Sequence, residues 1–148
     1  MKIESNLIYS FFVSDYTELI FQKTEIGDNS FGDIRLFLHS TKYTGPTQKG
    51  LIIKKSLLEE LIKVLKKEKF RIIKSDEERE ISRLSYKNGS LVVISLREST
   101  VDNNPVCIDI REYIISPRYE GFTKKGVRFS ADQLDEFIKG CEMLVNVL

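Results

Sequence analysis

The chain has 148 residues, which is the size of one domain or of two very small ones. It carries 23 lysines and arginines against 22 aspartates and glutamates, and the formal net charge of +1 argues against a histone-like protein. Apolar residues make up 41% of the chain and charged residues 30%, so a packed core is expected and a disordered chain is excluded. A local basic patch is still compatible with this sum, because a net charge does not report how charges are distributed.

The sequence carries no pattern that we expect to place it in or across a membrane. No apolar run approaches about 18 residues, the length of a transmembrane helix. Residues 1–5 lack the apolar stretch of a signal peptide, so we expect a cytoplasmic protein associated with the nucleoid, or a nuclear protein in a eukaryote. Cys107 and Cys141 are too few for a disulfide framework or a four-cysteine zinc site, and we expect both to be buried core residues.

Four strands and one helix are predicted for the first part of the chain. Leu58, Leu61, Ile62 and Leu65 recur at helical spacing, and we expect their helix to end near Glu68. The residues that follow, 70–78, contain no proline or glycine and are predicted to be a short link. The predicted strands are Ile3–Val13, Thr17–Glu25, Phe31–His39 and Gly50–Lys54.

The second part of the chain predicts the same order of elements. Asn88 and Gly89 between two apolar runs are typical of a hairpin turn, because both residues tolerate positive φ. Ser130 with Gln133 three residues later matches a capping box and begins a helix. The apolar stripe of that helix is Leu134, Phe137, Ile138, Cys141, Val145 and Leu148, and the predicted strands are Arg79–Tyr86, Leu91–Ser99, Val106–Ile115 and Gly126–Phe129.

The two parts are copies of one unit. Residues 33–65 align with residues 109–141 at a shift of 76 without a gap, and 13 of the 33 positions are identical. Unrelated sequences of average composition would share roughly 2. The identical residues of the first copy are Asp33, Ile34, Arg35, Ser40, Tyr43, Gly45, Thr47, Lys49, Gly50, Leu58, Glu60, Ile62 and Lys63.

We therefore predict an α+β fold of two ββββα repeats with antiparallel sheets, residues 1–69 and 70–148. A unit of about 70 residues with one helix is marginal by itself, because it buries too little surface. We expect the repeats to pack against each other as an intramolecular pseudo-dimer that shares one core. This arrangement predicts a monomeric mass in solution, with further dimerisation left open.

The third strand of each copy carries an arginine and an aromatic ring two residues apart on one face. These pairs are Arg35 with Phe37 and Arg111 with Tyr113. An arginine fork suits a phosphate and a ring suits a stacked base, a combination that favours single-stranded nucleic acid. The alternative is structural, in which Asp109 pairs with Arg111 and the ring packs.

Two basic segments follow these strands. Residues 41–55 contain four lysines and no acidic residue, and residues 118–128 contain four basic residues and one acidic residue. We expect them to form one groove whose affinity for a polyanion depends on salt. Besides the arginines and rings of the third strands, the residues assigned to this groove are Lys42, Tyr43, Lys49, Lys54, Arg118, Tyr119, Lys124, Lys125 and Arg128.

The run Ile110-Arg111-Glu112-Tyr113, followed by Lys124-Lys125-Gly126 and a helix led by serine, resembles a known family. It is similar to the single-stranded-DNA-binding transcriptional coactivators called positive cofactor four. Members of that family are homodimers with four strands and one helix per subunit, and they bind single strands on the sheet side. The resemblance covers about residues 90–145 and, more loosely, the first copy, so one chain would supply both subunits.

The resemblance also implies where this chain departs from the family. The family's basic pair falls on Lys124-Lys125 but on Gln48-Lys49 in the first copy, which also has Leu36 in place of the acidic residue. The tryptophan that stacks on bases falls on Ile114 and Leu38. We therefore expect stacking to be lost or moved to a nearby ring, and the second copy to bind more strongly.

No catalytic constellation is evident in the sequence, and we expect a protein that is not an enzyme. His39 is the single histidine, and the matching position of the second copy is Ile115, so we expect a surface histidine without a catalytic role. Gly45 and Gly121 fit turns better than a nucleotide-binding loop. We expect neither a cofactor nor a metal.

Three hypotheses about function remain, each from a different class of protein. The first is a sequence-tolerant binder of single-stranded DNA, with RNA left open, that acts with a protein partner in transcription regulation, replication or repair. The second is a protein-interaction module that keeps the fold with weak or no nucleic-acid binding. The third is a structural subunit that recruits a partner through its helix surface.

Overall fold

The computed structural model describes residues 3–99 and 105–148, and it confirms the α+β class and the two ββββα repeats. Each repeat is a four-stranded antiparallel meander followed by a helix. The first repeat consists of β1 (Ile3–Phe12), β2 (Thr17–Ile26), β3 (Asn29–His39), β4 (Thr44–Ile53) and α1 (Lys55–Lys74). The second consists of β5 (Arg79–Lys87), β6 (Ser90–Glu98), β7 (Val106–Ile115), β8 (Glu120–Ser130), a 3-10 turn (Ala131–Gln133) and α2 (Leu134–Val145).

Three predicted boundaries were wrong. Helix α1 continues past Glu68 to Lys74, so most of the predicted link at 70–78 is helix. The reason is Ile72, which lies two turns after Leu65 and is as completely buried. The strands β4 and β8 also begin earlier than predicted, because their first residues are polar and follow no alternation that marks a strand.

The repeat extends into the first two strands of each sheet, where the sequence alignment did not show it. The pairing of β1 with β2 shifts register between Leu7 and Tyr9, and that of β5 with β6 shifts between Glu80 and Ser82. Each member of the second pair lies 73 residues after its counterpart in the first. The shift changes from 73 to 76 because the connection between β6 and β7 is longer than that between β2 and β3.

Each helix packs on the sheet of the other repeat. In α2, the ring of Phe137 lies 5.3 Å from that of Phe21 in the first sheet, and also stacks at 4.3 Å on Phe129 of its own sheet. A Cβ atom at Gly140 would come within 2.5 Å of Phe21, so glycine allows this close approach. Helix α1 contacts β5 in the same manner.

The two helices also contact each other, and ion pairs of 2.8 Å between Lys66 and Glu142 and 2.6 Å between Lys69 and Asp135 join them. One hydrophobic core contains buried residues from both repeats. The two repeats of the predicted pseudo-dimer therefore form one packed unit and are not independent domains.

The structure bears on three smaller expectations. Cys107 and Cys141 are both buried, as expected, and burial raises the pKa of the Cys141 thiol well above its usual value. Neither described helix has the length and apolar character needed to cross a membrane. Within residues 3–99 and 105–148, no group of three or more histidine, cysteine or acidic side chains is placed to hold a metal ion.

Candidate functional site

The arginine of each third strand is held by its own repeat. In β3, Arg35 Nε donates to Asp33 Oδ1 at 3.1 Å, and Arg35 Nη1 donates to the carbonyl oxygen of Thr47 at 2.7 Å. The Arg35 side chain is only 17% exposed. This arginine therefore ties β3 to β4, and most of its donors face the protein.

The second repeat repeats this arrangement. Arg111 Nε donates to Asp109 Oδ1 at 3.1 Å, and Arg111 Nη1 donates to the carbonyl oxygen of Thr123 at 3.3 Å. The buried Asp109 carboxylate also accepts a 3.1 Å bond from Arg128 Nε. The contacts thus favour the structural alternative for Arg111, and they give Arg128 the same carboxylate as a partner.

The residues that follow form an identical bulge in both repeats. Arg35 pairs with Gly50 while Phe37 pairs with Pro46, so the three residues 47–49 leave the regular ladder. Lys49 N–H donates to the Thr47 hydroxyl at 3.2 Å and closes the bulge. The same jump occurs in the second repeat, where Lys125 N–H donates to Thr123 at 3.0 Å. The side chains of residues 48, 49, 124 and 125 are therefore exposed.

Gly50 and Gly126 are required by this bulge. A Cβ atom at Gly50 would lie 2.7 Å from the carbonyl oxygen of Ile34. At Gly126 it would lie 2.6 Å from the carbonyl oxygen of Ile110. Because the obstacle is backbone in both cases, the fold alone explains why both repeats have glycine at this position.

The paired tyrosines brace the β3–β4 and β7–β8 turns. The Tyr43 hydroxyl donates to the carbonyl oxygen of Pro46 at 2.6 Å, and that of Tyr119 donates to the carbonyl oxygen of Phe122 at 2.7 Å. Each ring remains about half exposed, at 49% and 51%. Lys42 and Arg118 lie inside these turns.

The rings of the third strands pack within their own sheets. Phe37 lies 4.9 Å from His39, whose Nε2 is 2.8 Å from Glu18, so this histidine is a paired and partly exposed side chain. Tyr113 packs edge-on against Phe122 at 5.0 Å. Its hydroxyl donates to Glu120 at 3.0 Å, and this bond, followed by burial, raises the pKa of the phenol.

The strands β4 and β8 lie beside each other, and a cleft of about 490 Å³ opens where their bulges meet. We call it the inter-repeat groove. Among the predicted residues, it brings together Arg35 of the first repeat with Lys124 and Lys125 of the second. Lys49 is exposed on the same bulge, between two residues that line the groove. The other predicted residues lie in the turns, rings and ion pairs described above, except Lys54.

The aromatic side chain of the groove and one of its lysines were not predicted. Tyr86 and Lys87, at the end of β5, line the inter-repeat groove and also a second cleft that contains Lys54. Lys87 Nζ lies 4.7 Å from the centre of the Tyr86 ring. Both residues precede the segment in which the repeat is visible, so nothing in the sequence pairs them with the basic loops. Only the tertiary contact of the Tyr86 side chain with Ile52 of β4 could reveal them.

Tyr86 joins the two repeats at this point. Its hydroxyl donates to the carbonyl oxygen of Ile52 in β4 at 2.8 Å. Burial, followed by the nearby Glu112 carboxylate, raises the pKa of Tyr86 to about 12. The phenol is therefore neutral at physiological pH, and its ring forms a fixed wall of the groove.

No protein-family model matches this chain, and a search of curated proteins gives no significant match. The resemblance to the positive cofactor four family therefore stays a prediction from the sequence motif, and the function is argued from the geometry of the groove.

Proposed function

We propose that this protein binds single-stranded DNA, with little sequence preference, along the inter-repeat groove. The observation that carries the proposal is the convergence of three exposed lysines of the second repeat, Lys87, Lys124 and Lys125, on one cleft. The bulge of the first repeat, which carries the exposed Lys49, forms the other side of this cleft. None of the described residues that line this cleft is acidic. Such a groove favours a phosphate backbone through charge and counterion release, which is independent of base sequence.

A single strand fits this surface better than a duplex. Both helices are packed on the sheets and on each other, so neither is presented for insertion into a major groove. The Tyr86 ring offers an aromatic surface beside the cations, which is the combination that single-strand binders use. A role in transcription regulation, replication or repair is part of the proposal.

A second candidate function is docking of a protein, and one observation favours it. Phe70 and Ile73, near the end of α1, are 72% and 56% exposed. Large apolar side chains that are exposed next to each other mark interaction surfaces more often than polar ones do. In this alternative the fold recruits a partner, and the groove has weak or no affinity for nucleic acid.

Fluorescence polarisation with labelled single-stranded and duplex oligonucleotides at two salt concentrations tests the proposal. The wild-type protein is expected to bind the single strand more tightly, and its affinity is expected to fall as salt rises. Each lost phosphate contact lowers the logarithmic salt slope by about 0.7 for a single strand. The double variant Lys124→Ala/Lys125→Ala should therefore bind more weakly and with a flatter slope.

The matched control is Lys63→Ala/Lys67→Ala, which removes the same charge from exposed lysines of α1. Its affinity and slope are expected to stay close to those of the wild-type protein. Equal weakening by both double variants would show that only overall charge matters and that the groove is not the site. Absence of binding to either oligonucleotide at low salt would remove the proposal in favour of protein docking.

A further inference from the structure

The inter-repeat groove continues past Tyr86 and Lys87 into a second cleft of about 450 Å³, which we call the apolar cleft. It lies between the β2–β3 hairpin, the start of α1 and the end of β5. Its volume is within the range of small-molecule sites, roughly 300–1,000 Å³. Its walls include four apolar side chains, Ile26, Phe31, Ile52 and Leu57.

One sequence difference between the repeats lies at this opening. At the start of α2, Gln133 Nε2 donates to the carbonyl oxygen of Phe12 at 2.8 Å and joins the helix to the end of β1. The counterpart of Gln133 is Leu57, at the shift of 76, and that of Phe12 is Ser85, at the shift of 73. Leucine has no donor, and Leu57 and Ser85 instead line the apolar cleft.

The chemistry of the apolar cleft is that of a flat aromatic group with an anion beside it. Phe31 from the first repeat and Tyr86 from the second line it, and Lys54 and Lys87 are its cations. Ser56, Ser85 and Glu60 supply groups that can hydrogen-bond the polar edge of a ring. A nucleobase with its own phosphates presents these features together, and the phosphates would meet the same run of cations as in the groove.

We propose that one base of the bound strand turns out of line with its neighbours and inserts into the apolar cleft, with its flanking phosphates at Lys54 and Lys87. This inference rests on the proposed function, because the strand must first lie in the inter-repeat groove. Burial of the base against Phe31 and Tyr86 adds affinity that does not depend on salt, since it involves no release of ions.

The test compares two single strands of equal length and charge, one with bases and one with abasic sites at every position. The wild-type protein is expected to bind the strand with bases at least about fivefold more tightly, the effect of one stacked base. The variant Leu57→Gln introduces at the start of α1 the glutamine that the second repeat has at Gln133. Its amide is expected to donate to the Ser85 carbonyl and close the cleft. This variant is expected to bind both strands with the affinity that the wild-type protein has for the abasic strand.

Two further variants keep the result interpretable. Leu7→Gln makes the same chemical change at an exposed position of β1, and it should keep the full preference for bases. Phe31→Ala removes one aromatic wall without a change in charge, and it should lose most of the preference while its affinity for the abasic strand is kept. Thermal unfolding of each variant shows that it is folded.

The outcomes separate the two proposals. If the wild-type protein binds both strands equally, or if Leu57→Gln and Phe31→Ala keep the preference for bases, base insertion is wrong and the groove proposal stands. If the wild-type protein binds neither strand at low salt, the groove proposal fails and base insertion fails with it.

Discussion

The hydroxyl of Tyr86 donates to the carbonyl oxygen of Ile52 across the boundary between the repeats, at 2.8 Å. It joins the first strand of the second repeat to the last strand of the first. Because burial and the nearby Glu112 raise the pKa of this phenol from 10.0 to about 12, the folded protein binds its proton more tightly than the unfolded chain does. The contribution of the neutral Tyr86 phenol to the stability of the fold is therefore complete below about pH 10, and it is lost as pH rises towards 12.

The first prediction follows from this bond. Tyr86→Phe should lower the free energy of unfolding by about 1 kcal/mol at pH 7, since one hydrogen bond is lost. Between pH 10 and 12 the difference between the wild-type protein and the variant should shrink. Urea denaturation at a series of pH values measures it, with the exposed Tyr16→Phe as control. A difference that is constant up to pH 12 would contradict the assigned role.

The second prediction concerns the glycine of the bulge. Gly126→Ala should cost about 1–3 kcal/mol of stability, because the added methyl group meets the carbonyl oxygen of Ile110 at 2.6 Å. Gly45→Ala is the comparison, because the nearest neighbour of the added methyl group is the hydroxyl of the Tyr43 side chain at 2.7 Å and not a backbone atom. Thermal or denaturant unfolding ranks the two. A cost at Gly45 equal to that at Gly126 would show that backbone contact does not explain why both repeats have glycine at the bulge.

The third prediction separates structure from binding at Arg111. Lysine cannot reproduce the fork that joins Asp109 and the carbonyl oxygen of Thr123, so Arg111→Lys should destabilise the fold by about 1–3 kcal/mol although the charge is kept. The folded variant should bind single-stranded DNA as the wild-type protein does. A fall in affinity without a fall in stability would instead support the phosphate-binding role that the sequence motif predicts.

The fourth prediction concerns the exchange of helices between the sheets. Neither residues 1–74 nor residues 75–148 should fold alone, because each fragment leaves its sheet without the helix that covers it, as the packing of Phe137 on Phe21 illustrates. Circular dichroism of each fragment should show no cooperative unfolding, and a mixture of the two should recover it. A fragment that unfolds cooperatively by itself would show that the repeats are independent.

Much of the fold could be predicted because local signals in the sequence agree with it. Ser130 and Gln133 form the predicted capping box, in which each side chain bonds the backbone of the other residue. The end of α1 was not predicted, because the burial of Ile72 depends on the other repeat rather than on any local stop signal. The equivalence of Leu7 and Glu80 in the two repeats was also not predicted. They occupy the same place in the register of their sheets, but their residue types differ.

The candidate site was predictable only in part. The basic residues Lys124 and Lys125 were found because charge is visible in a sequence. The roles of Arg35 and Arg111 were open, because a motif does not say whether an arginine faces a carboxylate or solvent. Tyr86 was missed, since its place in the groove results from contact between two strands that are distant in the chain.

The two repeats differ at the start of their helices: Gln133 contacts Phe12, whereas Leu57 lines an open cleft. This difference bears on the direction in which a strand would lie along the chain. A strand of nucleic acid has a 5′ and a 3′ end, whereas a symmetric dimer presents the same surface to both. Because the two repeats are joined in one chain, a substitution in one is not copied into the other. Under the proposed function, a strand in the inter-repeat groove would meet the apolar cleft beside one repeat and the Gln133–Phe12 contact at the matching place of the other, so one chain could distinguish the two ends of a strand.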